Sequence, residues 1–127
     1  MSMKIVNLTQ HNATADQVGQ GVFDLSPELR PHLQELLTFV SIPTKREIEL
    51  RAISIVRMVQ SNHIECDAAM IGGAPFLMSE LEFQLHLQRI KPLFAFSERV
   101  SEETTAPDGT VTKVNVFKHV GFVGGAE

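Results

Sequence analysis

The chain has 127 residues, 43% of them hydrophobic and 20% charged, and a formal net charge of -4. Its length suits one domain closing one core. No apolar run approaches the roughly 20 residues that cross a bilayer, and the acidic balance argues against long duplex nucleic acid, whose phosphates need clustered Lys and Arg. The single Cys66 excludes an internal disulfide and a cysteine zinc cluster, and its plainest reading is a small buried hydrophobe.

In chain order, the first predicted strand covers about Met3 to Leu8, with a turn from Thr9 to Ala13. Asn7 and Thr9 interrupt the only early apolar run, so no secretory leader is expected and the expected location is the cytoplasm. Thr14 with Gln17 three residues on forms a capping box, opening a short helix that Gly19 and Gly21 stop. Ser26-Pro27-Glu28 has the pattern of a second helix start, with Ser as cap, Pro at the first helical position and an acid in the first turn. That helix is expected to reach Thr38 or Phe39, and Pro31 blurs its start. Thr44 with Glu47 caps a third helix whose Ile48, Ala52, Ile55, Val56 and Val59 fall on one stripe, ending near Asn62 and His63.

Cys66 to Ile71 is the next predicted strand, and its unbroken apolar run from Ala68 suits a parallel strand covered on both faces. Pro75 to Arg89 fits both periods, and its length without internal Gly or Pro favours a crossover helix. Leu93 to Phe96 is a strand. Val100 to Thr105 and Thr110 to Phe117 flank the turn Ala106-Pro107-Asp108-Gly109 and form a hairpin at a sheet edge. Counting back from that turn sets Lys118 and His119 opposite Ser97 and Phe96. Gly121 to Gly125 is expected to be a loose or partner-bound tail. The whole, residues 1 to 127, is expected to be a single small three-layer α/β domain of Rossmann-like type. Its sheet is mainly parallel, with a C-terminal antiparallel hairpin and helices on both faces.

In such sheets ligands gather at the carboxyl ends of parallel strands. If the three parallel strands are neighbours, Asn7, Thr9, Gln10 and His11 meet Gly72, Gly73, Ser97 and Arg99 there. The two glycines allow close backbone approach, and the helix opening at Pro75 directs its dipole at the same point; a tight turn with no ligand explains them equally well, because the third glycine of the dinucleotide pattern is absent. Thr9 can hydrogen-bond phosphate or ribose, and His11 is of the residue type suited to general acid–base chemistry at physiological pH, although an exposed capping His is the plainer alternative. Arg99 is the best single cation for an anion, competing with a surface ion pair to Glu98 or Glu102, and His119 is a weaker candidate. No metal site is expected: His32, His63 and His86 lack a metal-binding repeat, and Glu82 with His86 has no third ligand. No P-loop and no Gly-x-Ser-x-Gly turn occur, and no cofactor is implied.

The stretch Val6-Asn7-Leu8-Thr9-Gln10-His11-Asn12-Ala13-Thr14-Ala15-Asp16-Gln17-Val18 resembles the opening of small CRISPR-associated proteins of the ring-nuclease type, in which an apolar strand is followed by Ser or Thr, His, and then Thr and Gln starting a helix. Here Gln10 separates Thr9 from His11. The resemblance implies a Rossmann-like homodimer that binds cyclic oligoadenylate and, in several members, cleaves it without metal. Asn7, Thr9 and His11 would then hold ribose and phosphate, with backbone contact at Gly72 and Gly73. The alternatives are a non-enzymatic interaction module docking through its Phe117-to-Phe122 edge, and an enzyme for another small anionic metabolite.

Overall fold

The computed structural model of the protein describes residues 3 to 124. Nine elements follow one another along the chain: β1 (Ile5–Asn7), α1 (Ala15–Gly19), β2 (Val22–Asp24), α2 (Arg30–Leu37), α3 (Lys45–Ser61), β3 (Ala68–Ile71), α4 (Pro75–Leu87), β4 (Lys91–Thr105) and β5 (Val111–Val123). The strands form one sheet in the order β2-β1-β3-β4-β5. The first four are parallel and β5 pairs antiparallel with β4. This is the Rossmann-like α/β fold expected, with a mostly parallel sheet and a C-terminal hairpin.

One strand was not foreseen. Val22-Phe23-Asp24, between two predicted helices and given no element of its own by the sequence, pairs with β1 residue for residue and forms the outer parallel strand. Three residues are too few to show a period, so only their position after Gly21 marked them. Gly21 makes the pairing possible, because it sits at φ +104° and a Cβ there would collide with the Met3 carbonyl oxygen. Its own carbonyl accepts from the Ile5 N–H at 3.0 Å.

The helices form where their caps predict, with one exception. Thr14 and Gln17 complete the capping box of α1, and the Thr44 side chain accepts from the Glu47 N–H to start α3. The second helix begins later than Ser26-Pro27-Glu28 suggested. The Ser26 carbonyl accepts from the N–H groups of Leu29 and Arg30, closing a turn, and α2 proper starts at Arg30 with Pro31 in its first positions. There the missing proline N–H costs no helical hydrogen bond.

Alternation along the short strands divides the core. Val6, Ala69 and Ile71 face α2, α3 and α4, and with Leu33, Ile55 and Leu81 they form the main apolar cluster. Ile5, Val22, Ala68, Met70 and Leu93 face the other way into a smaller cluster closed by Ala13 and Phe122. The stripe on α3 is as expected, with Ala52, Ile55, Val56 and Val59 buried. No helix among the described residues is long and apolar enough to cross a membrane.

The carboxyl end of the chain differs from expectation in three ways. The strand at Leu93 and the first arm of the hairpin are one continuous strand, β4, running 15 residues from the core into solvent. Gly121, Phe122 and Val123 are no loose tail: they pair with Phe96, Ala95 and Phe94, while Gly125 lies outside the described residues. The register is also one residue away from the count, with His119 opposite Ser97 and Lys118 opposite Glu98. A β-bulge follows, since Phe96 faces Gly121 and Val120 is the extra residue. Gln20, capping the end of α1, secures it: its amide nitrogen donates to the Val120 carbonyl at 3.3 Å, and its carbonyl oxygen lies 2.8 Å from His119 Nε2.

Candidate functional site

The carboxyl ends of β1 and β3 meet beside Phe94 and Ala95, which lie in the first part of β4 and not at its carboxyl end, and between the loop after β1 and the turn after β3 opens a cleft of about 690 Å³. Its volume falls within the roughly 300–1,000 Å³ of small-molecule sites. Thr9, Gln10, His11, Gly72 and Gly73 all line it, joined by Asn12, Thr14, Gln17 and Phe94, which sequence reasoning had not assigned to a site. No lining residue is charged apart from His11 if protonated.

Asn7 does not reach the cleft as a ligand contact. It is fully buried, and its amide is used up inside the protein. The nitrogen donates to the His11 carbonyl and to Asp24 Oδ1, both at 2.7 Å, and the oxygen accepts from the Thr9 N–H at 2.9 Å and the Thr9 hydroxyl at 2.7 Å. Two donors and two lone pairs are the whole capacity of a carboxamide. Asn7 is therefore the post around which the loop is wound. Thr9 is altered by the same bonds: its one hydroxyl proton is directed at Asn7 and, at 3.2 Å, the His11 carbonyl. What remains is an acceptor, poorly suited to phosphate oxygens.

The unforeseen strand β2 supplies the second half of this scaffold. Asp24 Oδ1 also accepts from the Ala13 N–H at 3.0 Å, and the Arg30 guanidinium stands 3.8 Å away, only 16% exposed. Arg30 and Gln34 both donate to the Gln10 carbonyl at 3.4 Å. The carbonyls of Gln10 and His11 are thus held inward. In a trans peptide the N–H points opposite to the C=O, so the His11 and Asn12 N–H groups turn away from the scaffold. The His11 side chain is exposed at the rim.

On the facing wall, no backbone hydrogen bond among the described residues uses the N–H of Gly72, Gly73 or Ala74. Gly73 has φ +149°, where a side chain is strained, and Gly72 lies against the Thr9 methyl, to which an added Cβ would come within 3.7 Å. Ala74 caps α4 without a side-chain hydrogen bond, and Pro75 follows it. Three successive free N–H groups at the start of a 13-residue helix make a locally positive surface without a cation.

Ser97 and Arg99 are not among the residues that line the cleft; both lie farther along β4. Arg99 stacks over the Phe117 ring at 5.4 Å, away from the cleft, and among the described residues no ion pair joins it to Glu98 or Glu102. His119 is 91% buried by its 9% exposure, and its Nε2–H donates to Gln20. Its ring packs edge-on to Phe122 at 4.9 Å, so it serves the bulge. Cys66 is half-buried against the main core; burial, and then the neighbouring Asp67 carboxylate, push its thiol pKa up. Among the described residues no three His, Cys, Asp or Glu side chains gather as a metal site would require.

The profile of the Uncharacterized protein MJ1673 family matches residues 3–123, nearly the whole folded chain. The chain belongs to this family. No curated protein and no solved structure matches it. The match runs through both the cleft-bearing parallel strands and the hairpin, so family membership covers the two together.

Proposed function

We propose that the cleft binds a small nucleotide anion, with cyclic oligoadenylate of CRISPR signalling as the leading candidate, in the cytoplasm. One observation supports this above the rest: three N–H groups at Gly72, Gly73 and Ala74 without a hydrogen-bond partner among the described residues stand across the cleft from a loop whose Gln10 and His11 carbonyls are tied back, leaving the N–H groups of His11 and Asn12 on offer. Phosphate would sit on the glycine turn. The amides of Gln10, Asn12 and Gln17 suit ribose and base edges, and the absence of lining charge makes dipoles the main attraction. The candidate ligand is suggested by the resemblance at Val6 to Val18.

A slow metal-independent phosphodiesterase is the catalytic form of the same proposal. The ribose 2′-hydroxyl would lose its proton and attack the adjacent 3′-phosphorus in line, forming a 2′,3′-cyclic phosphate as the bond from phosphorus to the next nucleoside's 5′-oxygen breaks and that oxygen takes up a proton, and the protein would position the reacting groups and stabilise developing charge. His11 is the one titratable group on the cleft wall and takes the role of general acid or base. Incubation with cyclic tri-, tetra- and hexa-adenylate, with and without chelator, tests turnover, and mass spectrometry of small molecules released on denaturation tests binding. If His11 transfers a proton, His11→Ala lowers turnover roughly 10²–10⁴-fold with affinity retained. Gly73→Val should abolish binding in calorimetric titration while circular dichroism stays unchanged, and full affinity in that variant would remove the glycine turn from the site. The second reading, a module that docks another protein, is favoured by the apolar exposure of the hairpin.

A further inference from the structure

Beyond the bulge, β4 and β5 form a two-stranded ribbon running from the Ser97–His119 pair to the Thr105–Val111 pair. Residues opposite one another share a face, and faces alternate along the strand, so the ribbon has two unlike sides. On one side Arg99 covers Phe117, and Glu103 reaches Lys113 at 3.9 Å. Its charges are satisfied within the chain. On the other side Val100 faces Val116, Glu102 faces Val114 and Glu98 faces Lys118. Here no ion pair among the described residues joins Glu98, Glu102 or Lys118 to anything. The same side continues inward to Phe96, 55% exposed, and Val114 is 41% exposed. An isolated two-stranded ribbon is marginal in water and is normally backed by a further layer.

We infer that this second side is a dimer face and that its occupant is the same face of a second copy. The charges select the occupant. In the ribbon β4 carries Glu98, Glu102 and Glu103, whereas β5 carries Lys113 and Lys118 and no acid. A two-fold axis along the ribbon lays each β4 over the other copy's β5, so every β4 residue meets the counterpart of the residue it already faces at home. Glu98 then meets the partner's Lys118 and Val100 meets the partner's Val116, each contact occurring twice as an isologous interface demands. Four valines are then buried together, with the two Glu98–Lys118 contacts beside them toward the body of the protein and Glu102 against the partner's Val114 toward the tip. Neither the cleft nor its ligand enters this inference.

Sedimentation equilibrium of the intact chain should give about twice 14.1 kDa. Glu98→Lys alone sets Lys against the partner's Lys118, and Lys118→Glu alone sets Glu against the partner's Glu98. Each should raise the dimer Kd at least about tenfold, since facing like charges oppose association. An equimolar mixture of the two single variants should recover the dimer, because the heterodimer pairs Lys with Glu at both contacts. No rearrangement within one chain can produce that rescue. Circular dichroism establishes that each variant is folded, and should either fail, Glu98→Gln with a salt titration of the wild type reads the same contact. A monomeric wild type, a dimer indifferent to both substitutions and salt, or a mixture of folded variants that stays monomeric would each overturn the inference.

Discussion

The two ends of β4 are held by different forces although they belong to one strand. Its first residues, Lys91 to Phe94, pair with β3 and β5 approaches from the other side, so Pro92 and Leu93 are buried. From Ala95 outward β5 is the only strand paired with β4 among the described residues, and nearly every side chain is exposed. The parallel body therefore draws its stability from apolar burial, at about 25 cal/mol per Å² removed from water. The ribbon depends on cross-strand pairs worth roughly 0.2–1 kcal/mol each. A cleft whose groups must stay in place belongs on the first kind of structure, and both of its walls are anchored there.

The sharpest contrast compares one aliphatic truncation in each region. Ile55→Ala, at a fully buried position on α3, should cost about 2–5 kcal/mol in chemical denaturation. Val114→Ala on the ribbon should cost under about 1 kcal/mol in the monomer. Equal losses would mean that the ribbon packs on something as dense as the core. A polar change tests the loop scaffold next. Asn7→Ala leaves the His11 carbonyl and Asp24 without their shared donor, and should cost about 1–3 kcal/mol together with weaker ligand binding. Full stability with lost binding would return Asn7 to direct ligand contact.

The smallest effect is at the ribbon tip. Hydrogen bonds from Thr110 hold the Asp108 carboxyl below its ordinary pKa. A lowered folded-state pKa contributes stability above the unfolded value of about 3.9, and that contribution is lost as pH falls through the folded value. The protection factor of the Thr110 amide, its exchange rate relative to the unstructured rate at the same pH, should therefore fall below about pH 4, while amides of β1 and β3 remain protected. Simultaneous loss of both would show that tip and body unfold together.

Much of the body was legible because its signals are local. The capping residues Thr14 and Thr44, the stripe on α3 and the turn at Pro107 to Gly109 each depend on neighbours within a few positions, and each appears where expected. The cleft walls at Thr9 to His11 and Gly72 to Gly73 follow from parallel strands ending together. Misreadings arose where a residue's partner is distant in sequence. Val22 to Asp24 has no period of its own and is a strand only because β1 lies beside it. The extra residue Val120 was hidden for the same reason, since Gln20 holds it from 100 residues away, whereas the one-residue register difference is set at the turn and is already present in every pair from Thr105–Val111 to Ser97–His119.

Composition and periodicity by themselves determined the α/β class, its helices and the sheet edge at which the cleft opens, since hydrophobic spacing and caps act over single turns. Only the tertiary structure decided the roles of the polar residues there. Asn7 carries the chemistry of a ligand contact, but a carboxamide has four hydrogen-bonding places, and Thr9, His11 and Asp24 occupy all of them. Arg99 carries the charge for an anion, but the path of β4 leads it past the cleft to Phe117. A side chain's chemistry is written in the sequence, whereas whether any of it remains unspent depends on neighbours that folding brings from elsewhere.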